Sequence, residues 1–246
     1  MDELLIFFFV GFAAQVVDGA VGMAYGVTAT SVLLSAGFTP TVASSTVHAA
    51  EVFTTGASGI AHWRRGNVDK KLFLELMLPG AVGGAVGAYI LTEIDSKFIQ
   101  PVVAGYLFLI GAFILVKAAR TRIQKVEELR HTRKLGFVGA LIDAIGGGGW
   151  GPMVTSTLVG RGMPARFAIG TSNAAEFFIT TVITVTFIGT VGLEHWTMII
   201  GLVLGGVIAA PIGALLAHRI PNRALMMLVG AVVMILATRN LMTYLG

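Results

Sequence analysis

Four acidic residues lie inside apolar stretches of this 246-residue sequence and form two pairs with matching neighbours. Asp18 and Asp143 each open a glycine-rich stretch, DGAVGMAYG and DAIGGGGWG. Glu51 and Glu176 each end the triplet AAE. A carboxylate in hydrocarbon is costly, so such residues are functional hypotheses by default. We predict that they either carry protons in a transport cycle or lock broken helices through hydrogen bonds.

The glycine-rich stretches interrupt segments that would otherwise be helical. Glycine is a poor helix former, and the free N–H groups at the start of the following helix, with its dipole, form an anion site. Nearby hydroxyl and amide groups add donors, and one aromatic residue per stretch would form a wall. Besides the acids, the predicted substrate-binding residues are Gly22, Tyr25, Thr46, His48, Gly147, Gly148, Gly149, Trp150, Thr171, Ser172 and Asn173. The alternatives are that the glycines only permit close helix packing and that the hydroxyls bond only to their own helix.

The composition predicts a polytopic membrane protein. The chain is 55% hydrophobic and only 12% charged, whereas about 25% of the residues of a soluble domain are charged. The net charge of +4 does not indicate nucleic-acid binding, because the basic residues lie in loops between apolar runs. The absence of cysteine excludes disulfides and thiolate metal sites, and no HExxH, GxSxG or P-loop motif is found. We therefore predict no enzyme activity, no cofactor and no metal.

An internal repeat organises the chain. Residues 11–55 align with residues 136–180 without a gap, so that Tyr25 corresponds to Trp150 and His48 to Asn173. We predict a first membrane repeat over 1–118, a basic cytoplasmic linker over 119–134 and a second membrane repeat over 135–246. The apolar segments are 4–36, 41–62, 72–92, 98–116, 135–160, 167–190, 197–217 and 224–244.

The first segment of each repeat is either one kinked span or a hairpin of two short helices. Segment 4–36 as one helix would be about 50 Å long, against a hydrocarbon core of about 30 Å. With hairpins, all of the 17 Lys and Arg residues except Lys97 and Arg239 lie on the cytoplasmic side, as the positive-inside rule requires. The predicted fold is therefore all-α, with two inverted-topology repeats, each a re-entrant hairpin plus three transmembrane helices.

Two sequence stretches resemble a known family. GGGGWGPMVTSTLVGRGMPARFAIGTSNAAEFF (146–178) and its weaker copy at 18–53 are similar to the TauE/SafE family of sulfite exporters and related anion permeases. The resemblance covers essentially the whole chain. It implies transport of small sulfur-containing anions, with export favoured. The first repeat departs from the pattern, with GAVGMAYG for the glycine run and SSTVH for GTSN.

The leading hypothesis is thus a secondary permease that works by alternating access and is coupled to protons. A passive anion channel, an uptake permease for another small carboxylate or sulfur anion, and an accessory subunit without transport are the alternatives. The predicted partners are a small anion and the lipid bilayer, without nucleic acid; a homo-oligomer is left open. The predicted location is the inner or plasma membrane, with the N-terminus outside.

Overall fold

The computed structural model describes residues 2–119, 130–216 and 222–245, and every regular element in those ranges is helical. Most of the predicted linker 119–134 lies outside the described residues. The helices are α1 (Asp2–Val21), α2 (Tyr25–Ser35), α3 (Pro40–Arg64), α4 (Lys70–Glu93), α5 (Ser96–Ala119), α6 (Thr132–Gly146), α7 (Ser156–Gly160), α8 (Ala165–Thr190), α9 (Trp196–Leu216) and α10 (Asn222–Leu245). A π-helical turn, Gly151–Thr155, leads directly into α7.

Four described helices are long and apolar enough to cross a membrane, judged by length and composition. They are Lys70–Glu93, Ser96–Ala119, Ala165–Thr190 and, within α10, Arg223–Tyr244. Helix α3 has 25 residues, but polar side chains such as Ser44, His48 and Glu51 lower its hydropathy. Those side chains are buried inside the helix bundle, so they do not meet the lipid. The predicted all-helical membrane fold is confirmed.

The first segment of each repeat is a hairpin rather than a kinked span. Phe7 in α1 packs edge-on against Phe38, which follows α2, with ring centroids 6.2 Å apart. In the second repeat, the guanidinium of Arg161, which follows α7, donates to the carbonyl of Arg130, which precedes α6, at 2.8 Å. Each hairpin therefore leaves the bundle at the end where it entered.

The two hairpins enter from opposite ends of the bundle. The central helices α3 and α8 run antiparallel: the rings of His48 and Phe187 lie 6.4 Å apart, and Ser58 accepts a hydrogen bond from Asn173 at 2.7 Å. Helix α8 thus begins where α3 ends. We call this end, which holds Arg64 and Arg161, the basic end, and the end that holds Phe38, Glu93 and Glu194 the acidic end.

The repeats also exchange packing partners. Helix α1 packs on α9 and its counterpart α6 packs on α4, while α3 pairs with α8 and α5 with α10. Glycines make the first two contacts close: Gly205 faces the backbone of Phe8, and Gly83 faces that of Phe137. Small residues at such contacts let helix backbones approach in a membrane. This pseudo-symmetric packing supports an inverted repeat; the orientation of the repeats in a membrane stays a prediction.

Candidate functional site

The turns of the two hairpins meet in the middle of the bundle. A methyl group added at Gly26 would lie 2.8 Å from the Cα of Gly148 and 2.8 Å from Oε1 of Glu51. A methyl group at Gly148 would in turn collide with the backbone of Gly26 and Val27. Gly148 also has a φ of +151°, which non-glycine residues rarely adopt. The glycines therefore allow two backbones to touch beside a buried carboxyl group.

Asp18 and Asp143 hold the hairpin turns together. Oδ1 of Asp18 accepts hydrogen bonds from the N–H groups of Ala24 and Tyr25 at 2.7 and 3.2 Å. Oδ1 of Asp143 accepts one from the N–H of Trp150 at 2.9 Å. In each hairpin, an acid near the end of the first helix caps the start of the second, where backbone donors lack helical partners. For Asp18 and Asp143, this geometry favours the predicted locking of broken helices through hydrogen bonds over the carriage of protons.

Asp143 has a second side-chain partner, which Asp18 lacks among the described residues. Its Oδ2 lies 3.2 Å from Nε2 of His48, and both side chains are buried. The other ring nitrogen of His48 lies 2.8 Å from the carbonyl oxygen of Ser44. Since Asn173 occupies the position of His48 in the second repeat, this buried contact occurs on one side of the pseudo-symmetry only. His48 therefore contacts the second hairpin through Asp143, and its role in substrate binding stays a prediction.

A small central cavity lies between the hairpin turns, α3 and α8. Its volume of about 20 Å³ has room for roughly one or two water molecules, so the site is contracted in this conformation. The lining residues come from both repeats: Gln15, Asp18, Gly22, Met23, Ala24, Tyr25, Gly26, Val27, Glu51, Thr54, Thr55, Ser58, Asp143, Gly149, Trp150, Gly151, Pro152, Asn173 and Glu176.

The cavity combines backbone donors with carboxyl groups. The N–H groups of Gly26 and Gly151 lie in the first turns after the two breaks and have no intrahelical acceptor; no other acceptor is within reach in the described residues. Glu51 is 3% exposed, and its Oε2 has no hydrogen-bond partner among the described residues. Oε1 of Gln15 also has no hydrogen-bond partner among the described residues. A buried polar atom without a partner costs free energy, so we expect a ligand, a proton or water to bind to these atoms.

Of the predicted site residues, the structure brings nine together around the cavity. All four acids line it, and the others that do so are Gly22, Tyr25, Gly149, Trp150 and Asn173. The aromatic pair forms a wall whose polar atoms point away: Tyr25 donates to the carbonyl of Leu202 at 3.1 Å, and the indole of Trp150 donates to Ser172 at 2.8 Å.

Six predicted residues lie outside the cavity lining. His48 is engaged with Asp143, and Ser172 with Trp150 and Thr155. The N–H groups of Gly147 and Gly148 bond to the carbonyl of Asp143, so in this conformation they are not available to an anion.

The remaining two are the threonines that the repeat makes equivalent. Thr171 accepts a hydrogen bond from the N–H of Asp69 at 2.9 Å, at the basic end. Thr46 faces a separate pocket at the acidic end. Both lie nearer to the ends of the bundle than the glutamates on their own helices, because five residues of α-helix separate each threonine from its glutamate, about 7.5 Å along the axis.

Several lining residues were missed by the sequence reasoning. Thr54, Thr55 and Ser58 follow Glu51 at spacings of three, four and seven residues, which places them on one helix face. That spacing could have revealed them. Gln15 is a polar residue within an apolar stretch, FFFVGFAAQVVD, and this could also have marked it.

Comparison of the sequence with known proteins identifies its family. Residues 7–240 match the profile of the sulfite exporter TauE/SafE family. The chain is 38% identical over 250 residues to the "Probable membrane transporter protein YtnM" of Bacillus subtilis (strain 168), covering 98% of this chain and 83% of that protein. No solved structure matches. The family match spans both hairpins and the cavity between them, and the chain therefore belongs to the TauE/SafE family of membrane transporters.

Proposed function

We propose that this transporter exports small sulfur-containing anions, such as sulfite or sulfonates, across the inner or plasma membrane. The family description supports the substrate class. In this proposal the anion binds in the central cavity, and the two hairpins alternately open the cavity toward one end of the bundle and the other. Inverted repeats with broken helices that meet at mid-membrane are a recurrent design of secondary transporters.

One observation carries the proposal: two helix starts from opposite repeats line the same cavity. The N–H groups of Gly26 and Gly151 are available there, and helix N-termini favour anions through the helix dipole. The second helices are short, but Asp18 and Asp143 fix their first turns. A preorganised donor pair at the centre of a bundle suits an anion that must lose its hydration water.

Glu51 and Glu176 supply the coupling in this proposal. Both line the cavity, where an anion would meet two more negative charges if both were ionised. Protonation removes that repulsion, so binding of the anion and binding of a proton favour each other. The transported species is then the anion together with a proton.

The basic end is assigned to the cytoplasm. Arg64, Arg65, Lys70 and Lys71 lie there, and cytoplasmic loops carry an excess of such residues. The N-terminus and the loop that contains Glu194 would then face outward. Export moves the anion from the basic end to the acidic end.

Flux in proteoliposomes tests the proposal. We expect the purified protein to move labelled sulfite in a saturable manner that depends on a pH gradient. Glu51→Gln and Glu176→Gln should each slow this flux roughly tenfold or more, a change of about 1.4 kcal/mol, because glutamine stays neutral and cannot take up and release the proton that the cycle needs. The pH dependence should weaken in both variants.

Glu93→Gln is the matched control, since Glu93 is an exposed carboxyl at the end of α4. It should behave as the unchanged protein. Saturable sulfite flux that ignores the pH gradient would remove the coupling role of the glutamates, and non-saturable flux would identify a channel. Absence of flux for sulfite, sulfoacetate, taurine and small carboxylates alike would overturn the proposal.

A further inference from the structure

A second pocket opens at the acidic end of the bundle, and it is much larger than the central cavity. Its volume is about 200 Å³, enough for a small oxyanion with some of its water. We call it the outer vestibule. Its lining residues lie at the starts of α3, α5 and α9 and in the loop before α9: Thr39, Thr41, Val42, Ser45, Thr46, Ser96, Val191, Gly192, Leu193, Glu194, His195 and Ile199.

Three helices begin around the outer vestibule. Helix α3 starts at Pro40, α5 at Ser96 and α9 at Trp196. Each helix has at least 21 residues, so each contributes a full dipole whose positive end faces the pocket. The carboxylate of Glu194 opposes an anion here, but it is exposed at the rim and water screens it.

A threonine that lines the pocket without a side-chain hydrogen bond in the described residues points to a ligand. Thr46 is 1% exposed and lines the vestibule, yet its Oγ1 makes no hydrogen bond to any described residue. Threonines in helices usually bond to a carbonyl of the preceding turn, as Thr55 does with Glu51 at 2.6 Å and Thr186 with Val182 at 2.9 Å. The hydroxyl of Thr46 is left to donate to something that enters the pocket.

Thr171, the residue equivalent to Thr46 at the basic end, does have a hydrogen-bond partner. Thr171 is also fully buried, but its hydroxyl accepts from the N–H of Asp69. A methyl group at the neighbouring Gly170 would collide with the carbonyl of Asn67 and lie 2.9 Å from the ring of His62. The loop between α3 and α4 therefore packs against this position, whereas the loop before α9 leaves a pocket beside Thr46.

The vestibule and the central cavity are both lined by residues of α3. Thr46 and Glu51 are five residues apart, about 7.5 Å along the helix, and Glu51 lines the central cavity. We propose that the outer vestibule is a second anion site, in which Thr46 donates to a sulfite or sulfonate oxygen as the anion passes between the central cavity and the outside. This proposal rests on the proposed function for the class of anion.

Cysteine protection tests the vestibule directly. The chain contains no cysteine, so Ser45→Cys gives a single thiol in the pocket. We expect purified Ser45→Cys protein in nanodiscs to react with an anionic thiosulfonate reagent. Methanesulfonate and sulfate should slow the reaction, whereas gluconate at equal ionic strength should not. Both protecting anions leave the reagent intact, unlike sulfite, which is nucleophilic.

Adding Thr46→Val should weaken protection about tenfold, a change of about 1.4 kcal/mol, and Thr46→Ser should keep it. Thr171→Val in the same background is the matched control and should leave protection unchanged. Equal protection with and without the Thr46 hydroxyl, or labelling that ignores both anions, would overturn the proposal.

The two proposals can fail separately. Protection in a protein that moves no sulfur anion leaves the vestibule as an anion site and removes the transport assignment. Saturable, proton-dependent sulfite flux without any protection at Ser45→Cys supports the central cavity and removes the vestibule site.

Discussion

Replacing Gly148 with alanine is expected to abolish transport and to lower the free energy of unfolding by about 2–6 kcal/mol. The added methyl group would collide with the backbone of Gly26 and Val27, and a backbone cannot turn aside as a side chain can. The φ of +151° adds strain for any residue with a Cβ. Both effects act at the contact between the hairpins, so sulfite flux and the free energy of unfolding should decrease together. Denaturant unfolding in detergent and sulfite flux in proteoliposomes measure the two losses.

Gly105 provides a control for Gly148→Ala, and Gly149 provides a comparison. Gly105 has no atom within 4 Å of an added methyl group, so Gly105→Ala should leave flux and stability nearly unchanged. Gly149→Ala should be harmful because the methyl group meets the hydroxyl of Tyr106, and Tyr106→Phe in the same chain should restore part of the stability. Gly148→Ala should show no such rescue. Native flux and stability in Gly148→Ala would contradict the tight contact between the turns.

Removing the side chain of Asp143 is expected to destabilise the protein by about 1.5–5 kcal/mol, because a lost helix cap costs about 0.5–2 kcal/mol and a buried hydrogen-bonding group left unpaired costs about 1–3 kcal/mol. Asp143→Ala removes the cap on Trp150 and also leaves His48 buried without its carboxylate. Asp18→Ala removes only a cap, so it should cost about 0.5–2 kcal/mol. Denaturant unfolding in detergent gives both values.

A double-mutant cycle separates the two contributions of Asp143. His48→Asn introduces the residue type of the second repeat at the equivalent position, so the cycle compares Asp143→Ala with and without the imidazole. We expect an interaction energy of about 0.5–3 kcal/mol between the two positions. Equal losses for Asp18→Ala and Asp143→Ala, with no interaction in the cycle, would show that the His48 contact contributes nothing.

The broad architecture follows from the sequence because its causes are local. Apolar runs of the right length predict the helices, and the glycine stretches after Asp18 and Asp143 predict the hairpin turns. The gap-free alignment of the repeats then indicates that both hairpins have the same construction. Equivalent acids do cap equivalent turns, at Tyr25 and at Trp150.

The details of the site depend on packing between the repeats, which no local pattern contains. The sequence shows that Gly147 and Gly148 are special, but only the contact of Gly148 with the other hairpin explains why. The repeat places Thr46 beside Glu51 on one helix, whereas the structure assigns them to two pockets. His48 and Asn173 are equivalent in the alignment, yet one bonds to Asp143 and the other to Ser58.

The exchange of helix partners has a consequence for biosynthesis. Helix α1 is synthesised before its main packing partner, α9, and seven other α-helices of the described residues lie between the two along the chain. The first hairpin, with its polar turn and Asp18, must therefore wait in the membrane or the insertion machinery until most of the chain exists. Neither half can complete its own core, so a chain cut in the central linker should yield an assembled protein only when both pieces are made in the same cell.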